Sequence, residues 1–213
     1  MAFLMLPVRS VVARGMVLRP ALVRGAAARG MATVAVGVSG GVDSSVVALM
    51  LRDEGHDVVG VHMSNWNVYE ESDGRQAECA QREASDARRV CERLGIGFKE
   101  VSFVCEYWQE VFDIMLQGYH NGGTPNPDVL CNRHIKFDRF VNHALALGAE
   151  WVATGHYARL DRGDAGGAVR LLTAADEAKD QSYFLSQVHG DLNILHYTYT
   201  YTCMIINRDL LWP

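Results

Sequence analysis

From Val34 the chain alternates short apolar, β-branched runs with stretches whose apolar residues recur at helical spacing. VAVGV predicts a strand, Ser44 to about Glu54 a helix, and VVGVHM from Val58 to Met63 a second strand, together a βαβ opening. A second helix is expected from about Ala84 to Leu94, ending at Gly95, where a residue tolerant of positive φ is wanted. GFKEVSF then reads as a third strand, and a third helix runs from about Glu106 to Gly118. The connection YHNGGTPNPDV, Tyr119 to Val129, holds two glycines, two prolines and two asparagines, so it predicts a shaped loop. Helical spacing resumes from Cys131 to about Leu147, with Ile135, Phe140, Ala144 and Leu147 on one face, and Trp151 to Thr154 is a further strand.

Strands alternating with helices predict an α/β fold, a doubly wound parallel sheet that binds ligands outside the carboxyl ends of its strands. DRGDAGGAVRLLT, from Asp161, reads as a hairpin, followed by the polar segment AADEAKDQSYFLSQV. The ending HGDLNILHYTYTYTCMIINRDLLWP alternates Thr and Tyr as a strand does, but offers no motif and no obvious partner. The expected organisation is a leader over 1–33, a nucleotide-binding unit over 34–160, a further contact region over 161–188 and a divergent tail over 189–213.

The 213 residues, 49% of them hydrophobic, suffice for one sizeable core. The formal charge of -5 hides an asymmetry, because Arg9, Arg14, Arg19, Arg24 and Arg29 fall in a stretch without an acidic residue before Asp43. Setting those five aside leaves 15 basic residues against 25 acidic ones. An arginine-bearing, acid-free start with spread charges has the composition of a mitochondrial transit peptide; the alternative is an untargeted basic leader. No apolar run approaches the roughly 18 residues that a membrane span needs. Cys79, Cys91, Cys105, Cys131 and Cys203 are an odd number with no C-x-x-C pair, so free thiols are expected and a structural zinc site lacks support.

VAVGV runs directly into Ser39-Gly40-Gly41-Val42-Asp43-Ser44-Ser45 and then into a helix. Two adjacent glycines let the backbone approach phosphate oxygens, three serines add hydroxyls, and the helix start supplies a positive dipole end. Pyrophosphate is the natural guest. The loop is not a Walker A motif, because no Gly-Lys-Ser/Thr follows. Met63 stands at the carboxyl end of its strand, where the crevice opens, though by residue type alone it reads as core. In Thr124-Pro125-Asn126-Pro127-Asp128-Val129-Leu130-Cys131-Asn132 the prolines stiffen a loop, and Asp128 and Cys131 lie three apart where a helix begins. Such a site lowers a thiol's pKa, while Asp128 reads equally as a helix cap and Cys131 as a small buried hydrophobe. Arg133, His134, Lys136 and Arg139 form either a basic strip beside the loop or a solvated helix face.

SGGVDSS resembles the pyrophosphate loop of the PP-loop ATP-pyrophosphatases, whose adenine-nucleotide-binding fold it implies. TPNPDVLCNRHIKF, ATGHYARL at Ala153 to Leu160 and KDQSYFLSQ at Lys179 to Gln187, in that order after the loop, resemble the tRNA-specific 2-thiouridylases. With the leader, the resemblance is to their mitochondrial branch, and it covers about Val34 to Val188. It implies an ATP site at Gly37, Val38, Ser39, Gly40, Gly41, Val42, Asp43, Ser44, Met63 and Gly155. It implies contacts of Asn126, Pro127 and Asp128 with the target uridine, and of His156, Lys179, Asp180 and Gln181 with tRNA.

The implied reaction is ATP-dependent 2-thiolation of the wobble uridine in tRNAs accepting lysine, glutamate and glutamine, with Mg2+ as counter-ion. Its implied sulfur donor is a persulfide on a second cysteine, which a sulfur-relay protein supplies. Asp128 is the implied acid/base and Cys131 the implied nucleophile, releasing sulfur by forming a disulfide or freeing sulfide. Members of that family continue past the KDQSYFL segment to a second cysteine in a Gly-x-Cys-Phe setting, which Cys203 in YTCMII does not match; a C-terminally shortened form is therefore expected. A PP-loop ligase or amidotransferase-like enzyme on a small molecule, and a non-catalytic fragment binding ATP or tRNA, are the alternatives.

Overall fold

The computed structural model describes residues 32–66, 75–162, 169–188, 194–198 and 202–207. The leader expected over 1–33 lies outside these residues but for its last two, as do the side chains of Cys79 and Cys203.

Four parallel strands form the centre: β1 (Thr33–Gly37), β2 (Asp57–Ser64), β3 (Gly97–Ser102) and β4 (Trp151–Thr154), in the order β3-β2-β1-β4. α1 (Val42–Asp53) connects β1 to β2, and α2 (Arg75–Leu94) connects β2 to β3. α3, residues 104–120, consists of Val104–Tyr107, a widened segment Trp108–Phe112 and Asp113–His120. α4, residues 127–146, consists of Pro127–Leu130, a longer widened segment Cys131–Arg139 and Phe140–Ala146. In both widened segments the chain hydrogen-bonds from i to i+5, as from the Asp113 amide to the Trp108 carbonyl and from the Phe140 amide to the Ile135 carbonyl.

Strand alternation divides the core between the two faces of the sheet. Val34 and Val36 of β1, with Trp151 and Ala153 of β4, pack against Val47, Ala48 and Leu51 of α1 and Ala87 and Cys91 of α2. Ala35 and Val152 point the other way, to Val111 of α3 and Ile135, Phe140, Val141 and Ala144 of α4. Helices thus cover both faces, as a parallel sheet requires. Gly95 closes α2 with φ +68, as its place in the sequence demanded.

Two features differ from the sequence expectation. The sheet is not parallel throughout, and the tail has a partner. β7 (Ile194–Thr198) and β8 (Thr202–Asn207) extend the order to β3-β2-β1-β4-β8-β7, with β8 antiparallel to β4, pairing Trp151 with Asn207 and Thr154 with Met204. The expected hairpin is β5 (Arg159–Arg162) with β6 (Val169–Leu172), a separate antiparallel pair. No described helix is long and apolar enough to cross a membrane.

Candidate functional site

β2 and β3 lie on one side of β1 and β4 on the other, so the chain changes winding direction between β1 and β4. Ligands of open α/β sheets bind beyond the carboxyl ends of the strands at that point. A cavity of about 290 Å³ opens there, lined by the loop after β1, the end of β2 and the turn after β4.

The loop is held by its own serines. The Ser44 hydroxyl accepts from the Ser39 amide at 3.2 Å and donates to the Gly41 carbonyl at 3.4 Å. The Gly41 amide reaches Ser39 Oγ at 3.4 Å, and Ser45 Oγ donates to the Gly41 carbonyl at 2.6 Å. α1 starts without a side-chain cap, which leaves its first-turn amides directed at whatever occupies the cavity. Gly40 takes φ +81, and a Cβ there would sit 2.8 Å from the Glu83 carbonyl oxygen. The Tyr157 hydroxyl donates to Asp43 at 2.5 Å, tying the loop to the segment after β4. That segment comes so close that a Cβ on Gly155 would lie 2.9 Å from the Ser44 amide nitrogen.

Gly37, Val38, Ser39, Gly41, Asp43, Ser44, Met63, Gly155, His156 and Gln181 therefore share one cavity, although they come from four separate stretches of sequence. Gly40 and Val42 shape the loop without lining the cavity, and Val42 is 76% exposed. Gln181 belongs by backbone as well as side chain: its amide donates to the Tyr157 carbonyl at 2.8 Å, and its Oε1 accepts from the Tyr157 amide at 2.9 Å. Lys179 and Asp180 are not part of the wall; Asp180 instead accepts from the Ala174 amide and the Ser182 hydroxyl, each at 2.6 Å.

Sequence reading missed four lining residues, His62, Asn65, Glu83 and Thr154, and reached the fifth, Lys136, only as a member of the basic strip. His62 and Asn65 flank Met63 at the end of β2 and Thr154 precedes Gly155, so proximity to known motif positions was the available signal. Glu83 gave none. The Asn65 Oδ1 is buried with no partner among the described residues, an acceptor available to a ligand's amine.

Asn126, Pro127, Asp128 and Cys131 form a second cluster, at the start of α4 and outside the cavity wall. Asn126 caps the helix, its Oδ1 accepting from the Asp128 amide at 2.9 Å and the Val129 amide at 3.4 Å, with Pro127 in the first turn. Asp128 is exposed, whereas Cys131 is only 8% exposed and packs into the core. The thiol does not carry the lowered pKa its place in sequence suggested: burial pushes it up, Lys136 draws it back and Asp128 adds to the rise. Burial outweighs the helix dipole because Cys131 lies a turn inside the helix. The Tyr107 phenol is raised by burial and then by the charges of Cys131 and Asp128, which places all three groups in one neighbourhood.

The basic strip is dispersed. Arg139 pairs with Glu110 of α3, Arg133 reaches Gln187 Oε1 at 3.4 Å, and Lys136 lines the cavity. Cys91, Cys105 and Cys131 are free thiols, as expected, and no group of three potential metal ligands occurs among the described residues.

His156 is buried, its Nδ1 2.9 Å from Thr154 Oγ1, and burial, with Lys136 adding, pulls its pKa to about 3. The folded protein keeps this ring neutral while the unfolded chain protonates it near 6.5, so stability is full above pH 6.5 and falls as the pH drops toward 3. The loss approaches about 1.4 kcal/mol per pH unit. His156→Gln should flatten that part of the acid limb in urea titrations; an unchanged pH dependence would contradict it.

The tRNA methyl transferase HUP domain model matches residues 32–199. The chain is 51% identical over 158 residues to the tRNA-specific 2-thiouridylase MnmA of Bacillus subtilis (strain 168), covering 74% of this chain and 41% of that protein. It is 51% identical over 157 residues to the tRNA-specific 2-thiouridylase MnmA of Pseudomonas putida (strain W619), again 74% of this chain and 41% of that protein. It thus spans well under half the length of these curated relatives. A predicted tRNA methyltransferase subunit from Methanocaldococcus jannaschii superposes with a TM-score of 0.40 and 19% identity over 64% of this chain and 58% of that one. On the match over residues 32–199, the chain belongs to the tRNA methyl transferase HUP domain family.

Proposed function

We propose that the chain is the nucleotide-activating part of a tRNA uridine 2-sulfurtransferase. The observation that carries this reading is the single cavity built from the SGGVDSS loop, Met63 and the Gly155-His156 turn, whose wall includes Lys136 of the helix that starts at Asn126 to Cys131. ATP fits that cavity by its chemistry: loop amides and hydroxyls for phosphates, glycines where a Cβ would intrude, and the unpartnered Asn65 Oδ1 near Met63 for an adenine amine. Mg2+ accompanies the phosphates, and Asp43 and Glu83 are the carboxylates of the cavity wall available to it. When bound, ATP supplies an electrophilic phosphorus that converts the uridine C2 oxygen, a poor leaving group as oxide, into part of AMP.

The chain's own residues then have separable tasks. The loop from Gly37 to Ser44 orients the phosphates, Met63 and Gly155 bound the nucleotide, and Asn126, Pro127 and Asp128 meet the uridine flipped from its stack. Asp128 moves the proton, and once the donor's outer sulfur is bonded to C2 in place of AMP, the Cys131 thiolate forms a disulfide with the donor cysteine and so frees the thiolated base. Lys179 and Asp180 are assigned to RNA contact from outside the cavity, and His156 and Gln181 from its wall. The acid-free leader supports a mitochondrial setting, and tRNAs accepting lysine, glutamate and glutamine are the substrates. Methyl transfer, which the family's description names, gives a loop of phosphate donors no task.

The test is mass spectrometry of tRNA incubated with the protein, ATP, Mg2+ and a persulfide source. The expected product is 2-thiouridine at the wobble position. Sulfur in another nucleoside, or ATP consumption driven by a free small-molecule acceptor without RNA, would overturn the reading.

A further inference from the structure

Among the described residues lining the cavity, Lys136 is the one permanent cation. Asp43 and Glu83 are carboxylates, His156 is neutral, and the His62 ring nitrogen is engaged with the Val38 carbonyl at 3.0 Å. A polyphosphate entering between two carboxylates needs positive charge beyond that of the Mg2+ it carries, and the loop brings no Walker lysine. Lys136 has no ion pair among the described residues, while its neighbours Arg133 and Arg139 are held elsewhere.

The widened segment of α4 explains how one lysine serves two places. At the usual 100° or so per residue, positions five apart stand roughly 140° around a helix from each other. Bonding from i to i+5 instead stacks such residues on adjacent turns, and Cys131 and Lys136 are five apart inside that segment. Lys136 accordingly acts on the charge of Cys131 as well as on that of His156 at the cavity wall.

We propose that Lys136 is a catalytic residue shared by the two halves of the site, its ammonium contacting the nucleotide phosphates in the cavity and, when they leave, supporting the Cys131 thiolate. The proposal rests on the cavity taking ATP. It orders the reaction: while phosphates engage Lys136 the thiol stays protonated, and release of pyrophosphate returns the cation to the sulfur. The other groups facing Cys131 are Asp128 on its own helix and Tyr107 from α3, both of which oppose thiolate formation when charged. By linkage, a ligand that raises the thiol's pKa binds more weakly when the thiolate forms.

The experiment uses the whole chain and α,β-methylene ATP, which is not cleaved at the α-phosphorus. Binding is measured by calorimetry, and alkylation of Cys131 by iodoacetamide is followed against pH by peptide mass spectrometry, with Cys105 as internal control. Lys136→Met should weaken nucleotide binding about tenfold or more and move the Cys131 alkylation midpoint up by roughly one pH unit. Lys136→Arg should retain most nucleotide affinity. In the wild type, α,β-methylene ATP should itself shift the midpoint upward, and that shift should vanish in Lys136→Met. Thermal melting of each variant separates a folding defect from these effects. Wild-type binding with an unaltered affinity and midpoint in Lys136→Met overturns this inference alone. A wild type without nucleotide affinity overturns the functional reading and the inference with it.

Discussion

Replacing Asp43 and Ser44 together by alanine is expected to lower ATP affinity by at least about 100-fold while leaving the protein folded. Ser44 Oγ is the group that the Ser39 amide and the Gly41 carbonyl both use, so its loss releases the loop from the shape that aims its amides inward. Asp43 anchors the same loop to Tyr157 in the segment after β4, and removing it breaks that tie. Two hydrogen-bonded supports worth about 1.5 kcal/mol each account for the stated loss. Neither residue belongs to the hydrophobic core clusters, and α1 retains Val47, Ala48 and Leu51, so the melting temperature should change little. Isothermal calorimetry with ATP is the measurement, and undiminished affinity in the double variant would remove the loop from the account.

Phe140→Ala should destabilise the fold by about 3–5 kcal/mol, a large fraction of the roughly 5–15 kcal/mol that holds a domain together. The ring is fully buried where α4 meets the sheet, and its edge lies 3.3 Å from the position a Cβ on Gly37 would take. The cavity left by the ring therefore undercuts the end of β1, from which the phosphate loop springs. Nucleotide affinity should fall as well, even at temperatures where the variant remains folded. Phe140→Leu, which keeps most of the volume, should cost much less. Urea titration checks both, and a loss below about 1 kcal/mol for Phe140→Ala would show that the core closes over the site more readily than close packing predicts.

The inner strands were legible because β1, β2 and β4 carry apolar runs that are largely buried, whereas β3 is a partly exposed edge strand, and because Gly95 marks a helix end that only a positive φ explains. Gly155 was reached through motif resemblance. Its physical reason, the close approach to the Ser44 amide, is a contact across more than 100 residues that local pattern does not carry. Cys131 shows the limit of local electrostatics: its place near a helix start allowed either a thiol of lowered pKa or a small buried hydrophobe, and packing against the core decides for the second. Lys136 was read within a group that is either a basic strip beside the loop or a solvated helix face, and the i to i+5 bonding of α4 changes which of those residues share a side. The pairing of β8 with β4 was invisible for a simpler reason. An antiparallel edge strand is recruited by exposed backbone groups, which every sequence possesses.

The central claim is that this cavity activates a tRNA uridine at the expense of the α-phosphorus of ATP. Its most direct test is product analysis of labelled ATP incubated with the protein, Mg2+, a persulfide source and either unmodified tRNA or the same tRNA with cytidine in place of the wobble uridine. The account predicts AMP and pyrophosphate, formed with the uridine-bearing tRNA and lost in the Asp43→Ala, Ser44→Ala double variant. Formation of ADP and phosphate, or pyrophosphate release indifferent to the wobble base, would contradict it.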